Sequence, residues 1–248
     1  ACRAIGVNVL AYATNRELKP KDAIPQKLAK SQPQGSGQRG RFAVAKLRHA
    51  GGCDAAPRAL RNLLEATGNI LQIRTADEVP LLAIDDEAIF DHHFLYLHGR
   101  NDFRLSGAER RQLKRFVQRG GTLMADAICA SPAFTKALRR EMREVFSQPL
   151  ERIPPEDPLL SAAYGGSDLQ EVVRREAVRL PDGSLQIKQR SGPAELEGIR
   201  NDDRYGVIFS PLDLSCALEK HLAPHCRGYT TEDAARIAIN VILYSLHQ

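Results

Sequence analysis

Phe94-Leu95-Tyr96-Leu97-His98-Gly99, then Ser106 to Arg119, then Gly120-Gly121-Thr122-Leu123-Met124-Ala125-Asp126 form the passage on which the fold turns. The first run is apolar without alternation, the pattern of a short strand buried on both faces. Ser106 with Glu109 three residues on is a capping box, so a helix starts there. Gly120-Gly121 supplies the backbone freedom that ends it. A second buried strand follows at once. Strand, helix and strand at this spacing predict two parallel strands joined by a crossover.

The same rhythm extends outward. Phe42–Leu47 reads as a strand, and Pro57–Thr67 as a helix with Gly68 just past its end. Ile70–Ile73 and Leu81–Ile84 read as further strands. Ser131–Phe146 is helical with Pro132 in its first turn, Tyr205–Ser210 is a core strand, and Thr231–Leu246 is a closing helix capped by Thr231. Residues 150–199 break the rhythm: they are rich in proline, glycine and charge, with short strand signals at Glu171–Val178 and Leu185–Lys188. The expected fold class is α/β, a mostly parallel sheet with an antiparallel or irregular insertion around 150–200.

Ile5-Gly6-Val7-Asn8-Val9-Leu10-Ala11-Tyr12 is echoed by Ile237-Ala238-Ile239-Asn240-Val241-Ile242-Leu243-Tyr244. Such an echo, about one domain length apart, reads as tandem copies. Residues 1–19 are then the closing helix of a preceding copy, 20–40 a Gln-, Ser-, Gly- and Pro-rich flexible linker, and 41–248 the domain.

The 248 residues are 43% hydrophobic and 26% charged, which suits a globular chain and excludes disorder and disulfide miniproteins. No apolar run nears the ~18 residues of a membrane helix. Membrane contact is therefore expected only through parts of the chain outside this sequence. The formal charge is +5, from 35 Lys and Arg against 30 Asp and Glu. The basic residues lie on helix faces and in the linker, no nucleic-acid motif accompanies them, and tryptophan is absent, so no nucleic-acid partner is expected. The five cysteines, Cys2, Cys53, Cys129, Cys216 and Cys226, contain no CxxC pair.

Ligands in open parallel sheets bind beyond the carboxyl ends of the strands. Three such ends carry polar residues: His98 to Asp102, Asp126 to Ser131, and Ser210 to Cys216. Cys129 lies between a strand and a helix N-terminus, where a thiolate is favoured. With Cys129 as nucleophile, His98 is the candidate base and Asp126 and Asp213 the candidate acids. Gly99, Arg100, Asn101, Ser131 and Ser210 are the candidate ligand contacts at the same ends. Cys216, His221, His225 and Cys226 form a dense ligand-capable run. A zinc site, a Cys216–Cys226 disulfide and ordinary packing all stay open for it, and the spacing matches no structural zinc motif. No phosphate loop, HExxH or GxSxG sequence is present, so neither cofactor nor metal is expected.

Phe94–Gly99, Gly120–Asp126 with Phe134, Tyr205–Ser215 and the closing Ile239-Asn240-Val241 together resemble the bacterial domain of unknown function numbered 4159. The resemblance covers most of 41–248. It implies a flavodoxin-like three-layer sandwich similar to class I glutamine amidotransferase domains, and no established activity. It also implies a bacterial source; cytoplasm and periplasm both stay open as the compartment. Those amidotransferases place cysteine at the elbow, where Cys129 falls, and an oxyanion loop where Gly99 falls. Their His-Pro-Glu reads Ser210-Pro211-Leu212 here, so the base and its orienting carboxylate are missing and glutamine hydrolysis is not expected. The expected function is a non-catalytic ligand- or protein-binding module of a larger protein, with neighbouring domains of the same chain as partners. The alternative is a hydrolase using Cys129, or Asp126 with Asp213.

If residues 1–40 carry none of the domain's core, deleting them should move the unfolding midpoint by less than about 2 °C, below ~1 kcal/mol for a domain of this size. Differential scanning calorimetry checks this, and a larger drop would place the segment in the core.

Overall fold

The structure is a computed structural model that describes residues 41–221 and 226–247. The expected helix over 1–19 and linker over 20–40 lie outside the described residues. Five parallel strands come first in the central sheet: β1 (Ala45–Arg48), β2 (Leu81–Ala83), β3 (Phe94–Gly99), β4 (Thr122–Ala127) and, late in the chain, β9 (Arg204–Ser210). Two antiparallel edge strands, β8 (Glu197–Asn201) and β5 (Glu151–Arg152), complete the order β2-β1-β3-β4-β9-β8-β5. A separate antiparallel sheet pairs the hairpin β6 (Val172–Arg179) and β7 (Leu185–Gly192) with β10 (Gly228–Tyr229). The chain is thus α/β with an antiparallel insertion where the break in rhythm placed one.

Alternation along the buried strands builds two cores. Phe94 and Tyr96 of β3 face α1 (Ala59–Leu71) and α5 (Thr231–Leu246), which follows the short α4 (Ser215–Leu218), with Met124, Ile208, Leu63 and Ile237 in the same cluster. Leu95 and Leu97 face α2 (Gly107–Gln118) and α3 (Pro132–Phe146), with Leu123, Phe209, Phe116 and Leu138. This is a three-layer, flavodoxin-like sandwich. The order 2-1-3-4 reverses direction between β1 and β3, and such switch points open crevices at the strands' carboxyl ends.

Local chemistry sets the helix ends. Ser106 Oγ accepts from Glu109 N while the Glu109 carboxylate accepts from Ser106 N, the capping box expected for α2. Ser131 caps α3. Two expectations fail. The closing helix is capped by Thr230 rather than Thr231, Thr230 Oγ1 accepting from Asp233 N at 3.2 Å. Gly68 does not end α1. The helix continues to Leu71, and Gln72 in the left-handed region stops it, so no strand forms over Ile70–Ile73. A β-carbon on Gly68 would come within 3.3 Å of the Ile73 carbonyl, so glycine admits the returning chain there.

The insertion is bolted to α5 by polar groups. Asp233 Oδ2 accepts from Val173 N at 2.8 Å. Asn240 accepts from Ser167 N at 2.8 Å, and its amide nitrogen lies 2.8–3.2 Å from the carbonyls of Leu159, Ser161 and Ser167. Asn240 is 3% exposed, so truncation leaves buried groups unpaired. Asn240→Ala should therefore cost about 2–3 kcal/mol, a midpoint drop of about 5–10 °C. Thermal melts of the variant test it, and a near-neutral result would mean that solvent takes over these bonds.

Candidate functional site

His98, Asp126 and Ser210 are register partners, one row across β3, β4 and β9, and all three are 0% exposed. The row is the floor of the strand-end crevice. Asp126 is its hub. Oδ2 accepts from Leu214 N and Ser215 N, both at 3.0 Å, and Oδ1 accepts from Tyr96 Oη at 2.9 Å. Ser215 Oγ lies 2.7 Å from Asp126 Oδ1 and 2.6 Å from His98 Nδ1. His98 Nε2 meets the Cys53 carbonyl at 3.1 Å. Burial lowers the His98 imidazole to about 3 and raises the Asp126 carboxyl. Both ring nitrogens are engaged inside the protein. Ser210 Oγ donates to the Leu212 carbonyl at 2.6 Å.

Above the floor, the turn after β4 carries Cys129 and Ala130 at φ 54° and 51°, consecutive left-handed residues that are not glycine. Each costs on the order of 1–2 kcal/mol and needs surrounding structure to hold it. Asp213 provides part of that hold: one carboxylate oxygen accepts from Cys129 N, the other from Cys216 N at 2.7 Å. Asp213 is 2% exposed, and burial with Asp126 nearby raises it to about 6. Cys129 is joined to Cys226 by a disulfide, correcting the Cys216–Cys226 pairing weighed from spacing. Cys216 is a free thiol whose sulfur stands 3.8 Å from both partners. Burial and the Asp213 carboxylate push that thiol's pKa strongly up. The metal-capable donors among the described residues are therefore Cys129, Cys216, Cys226 and Asp213, all within 4.8 Å of one another. This differs from the expected run: Cys129 and Asp213 join, His221 lies outside the group, and His225 lies outside the described residues.

A cavity of about 300 Å³ opens over this group, lined among others by Ala56, Arg58, Arg100, Cys129, Cys216 and His221. The Arg58 Nε and backbone N–H both donate to the Glu219 carboxylate, which fixes one wall. Arg100 is the only expected ligand contact in the lining. Gly99 serves packing instead, since a β-carbon there would sit 2.5 Å from the Gly51 carbonyl and 2.7 Å from the Phe134 ring. Asn101 N donates to that same Gly51 carbonyl, and Ser131 Oγ donates to the Arg100 carbonyl at 2.6 Å. A larger hollow, about 480 Å³, lies along the outer face of α3 alone. It gathers groups from one helix and carries no convergent chemistry.

Tyr96 is not among the expected site residues, although it shares the parity of His98 on β3. Ser215 belongs to the polar strand end Ser210 to Cys216, and its contact with both Asp126 and His98 depends on the loop after β9, which no strand pattern foretells.

The family model described as Domain of unknown function (DUF4159) matches residues 43–246. Comparison with curated proteins finds no match. Among the described residues no helix is long and apolar enough to cross a membrane.

His49 shows how this end of the sheet responds to acid. Its Nδ1 accepts from Gly51 N at 3.0 Å and its Nε2 meets the His98 carbonyl at 2.9 Å, so the neutral ring fits. Burial lowers it to about 4. An unfolded histidine takes its proton near 6.5, so between about 6.5 and 4 the unfolded chain holds more protons and stability falls as pH drops. Asp213, raised to about 6, acts in the opposite sense over part of this window. His49→Gln keeps a donor and an acceptor and leaves Asp213 in place. It should lessen the acid slope by up to about 1.4 kcal/mol per pH unit. Urea unfolding at a series of pH values measures that slope, and an unchanged slope would remove His49 from the linkage.

Proposed function

The chain belongs to the DUF4159 family, and we propose that this domain is a non-catalytic binding module whose ligand seat is the cavity over the carboxyl ends of β1, β3, β4 and β9. One observation carries the reading: the groups that a hydrolase would spend on proton transfer are spent inside the protein. The imidazole of His98 sits beneath the cavity floor with both nitrogens engaged, and Asp126 accepts from two backbone amides and a phenol. A general base must reach the proton it removes. Cys129 has an elbow-like backbone, yet its sulfur is bonded to Cys226 and its amide is held by Asp213. The strand end where an amidotransferase carries its imidazole holds Ser210, with its hydroxyl tied to Leu212. The site keeps the architecture of a ligand-binding crevice without a working proton-transfer set. In the longer protein expected from the tandem echo, such a module reports ligand occupancy to neighbouring domains.

The reduced, full chain should turn over neither glutamine nor activated esters nor peptides above the rate of its own Cys129→Ser variant. In amide NMR spectra, titration with a mixture of small polar fragments should move resonances of Ala56, Arg100 and His221 and leave the β6–β7 hairpin still. Turnover abolished by Cys129→Ser or Asp213→Asn would overturn the non-catalytic reading. Fragment shifts clustered away from the cavity would overturn the seat.

A further inference from the structure

The donor group at the cavity floor has a chemistry of its own. Three sulfurs and a carboxylate converge from three separate stretches of chain: the turn after β4, the loop after β9, and the approach to β10. A tetrahedral ion with metal–sulfur bonds of about 2.3 Å holds its sulfurs about 3.8 Å apart. Cys216 Sγ stands 3.8 Å from Cys129 Sγ and 3.8 Å from Cys226 Sγ. The fourth donor, Asp213, is already oriented, because the amides of Cys129 and Cys216 each occupy one of its oxygens and leave further lone pairs. Ligands held by outer hydrogen bonds of this kind are the rule at metal centres. The cavity lined by all three cysteines supplies an entry path. Arg100 in the same lining offsets the charge of a thiolate-rich centre.

We propose that in the thiol form of the protein Cys129, Cys216, Cys226 and Asp213 bind one thiophilic divalent cation of the zinc class. The inference rests on the binding-module reading and names its ligand. The Cys129–Cys226 disulfide is the oxidised form of the same site. A small-molecule thiol or a phosphine reductant opens it: the disulfide takes two electrons and two protons, and two small thiols become their disulfide, or the phosphine takes an oxygen atom from water, which also supplies the two protons, and becomes its oxide. The divalent ion then displaces the three thiol protons, which leave to solvent, and four bonds form to three sulfurs and one carboxylate oxygen. Thiolate donors select zinc over magnesium or calcium. In its thiol form the site has lost its cross-link, and the ion restores one that also takes in the loop after β9.

The test uses the full 248-residue chain, reduced with a phosphine and kept free of chelator. Metal analysis after zinc addition and desalting should find one zinc per chain. Zinc should slow iodoacetamide capture at Cys129, Cys216 and Cys226 together, read by peptide mass mapping. Cobalt in place of zinc should give thiolate-to-metal charge transfer and the intense d–d bands of a tetrahedral centre. Cys216→Ser should weaken zinc competition against a chromophoric chelator by more than about tenfold, since even outer partners cost ~10–100-fold. Cys53→Ser should leave it unchanged. Asp213→Asn should keep the cobalt charge-transfer band and lose affinity. The wild-type mapping needs no variant to fold. Reduced protein that holds no zinc, or zinc that shields none of the three cysteines, would overturn the proposal while leaving the cavity's fragment binding intact. Zinc uptake accompanied by zinc-dependent ester or peptide hydrolysis would keep the cation and overturn the non-catalytic reading instead.

Discussion

Everything at the functional end of this domain depends on one buried carboxyl, Asp126. It lies on β4 at the centre of the sheet, fully enclosed, where an isolated charge would be costly. The surroundings answer with two backbone amides, a phenol and a hydroxyl. Through Ser215 the carboxyl connects to His98, and through His98 to the Cys53 carbonyl. The Cys53 carbonyl only accepts, so Nε2 carries a proton. Two arrangements with the same number of protons remain. In one, an imidazolium donates to Ser215 and Ser215 donates to a carboxylate. In the other, each proton sits one place back, and a neutral carboxyl faces a neutral ring. Burial lowers His98 and raises Asp126, and both shifts favour the neutral arrangement. The chain Asp126–Ser215–His98 resembles a catalytic triad in residue type, but it is a structural brace: Ser215 is 0% exposed and lines neither cavity described above.

The brace explains how the loop after β9 is placed. Leu214 N and Ser215 N hang on Asp126, which brings their neighbours Asp213 and Cys216 to the cavity floor. Asp213 then reaches back to the amide of Cys129 and helps hold two consecutive left-handed residues. The order of dependence runs from the sheet centre outward: carboxyl, loop, second carboxyl, strained turn, sulfurs. Each step is fixed by a hydrogen bond to backbone, and the cysteines also pack with Ile128, so the sulfur positions inherit the rigidity of the sheet.

The strands and helices were legible because their signals are local. The capping box at Ser106 and Glu109, the glycine pair before Thr122 and the apolar runs of β3 and β4 each name their own structure. The three polar strand ends were legible too, since topology alone sends them to one edge. Legibility stopped where function depends on pairing across long sequence separation. Cys129 and Cys226 are 97 residues apart, and spacing favours the nearer Cys216 for no physical reason beyond proximity in sequence. The end of α1 failed for a related reason. Gly68 looks like a terminator in isolation, but its missing side chain makes room for the chain that returns past it at Ile73 and Thr75. Gly99 and Asn101 lie outside the cavity lining, where the loop after β1 approaches them through the Gly51 carbonyl.

A site built this way carries a thermodynamic tension. Two buried carboxyls and two left-handed residues each lower stability, and Asp213, raised to about 6 by burial, shows the cost for a carboxyl. Packing offsets part of this: Ala130 lies against the core beneath α1 and α5, and Cys216 packs with Ile128 and Cys226 in a small apolar cluster of its own. Apolar residues at 213 and 216 would remove the cost of burying charge, though they would free the amides of Cys129 and Cys216 from their acceptor. A cross-link or a counter-charge at this place would offset that cost. The disulfide is one answer, closing a long loop and restricting the unfolded chain. A divalent ion would be another, bound by the Asp213 carboxylate and the three sulfurs.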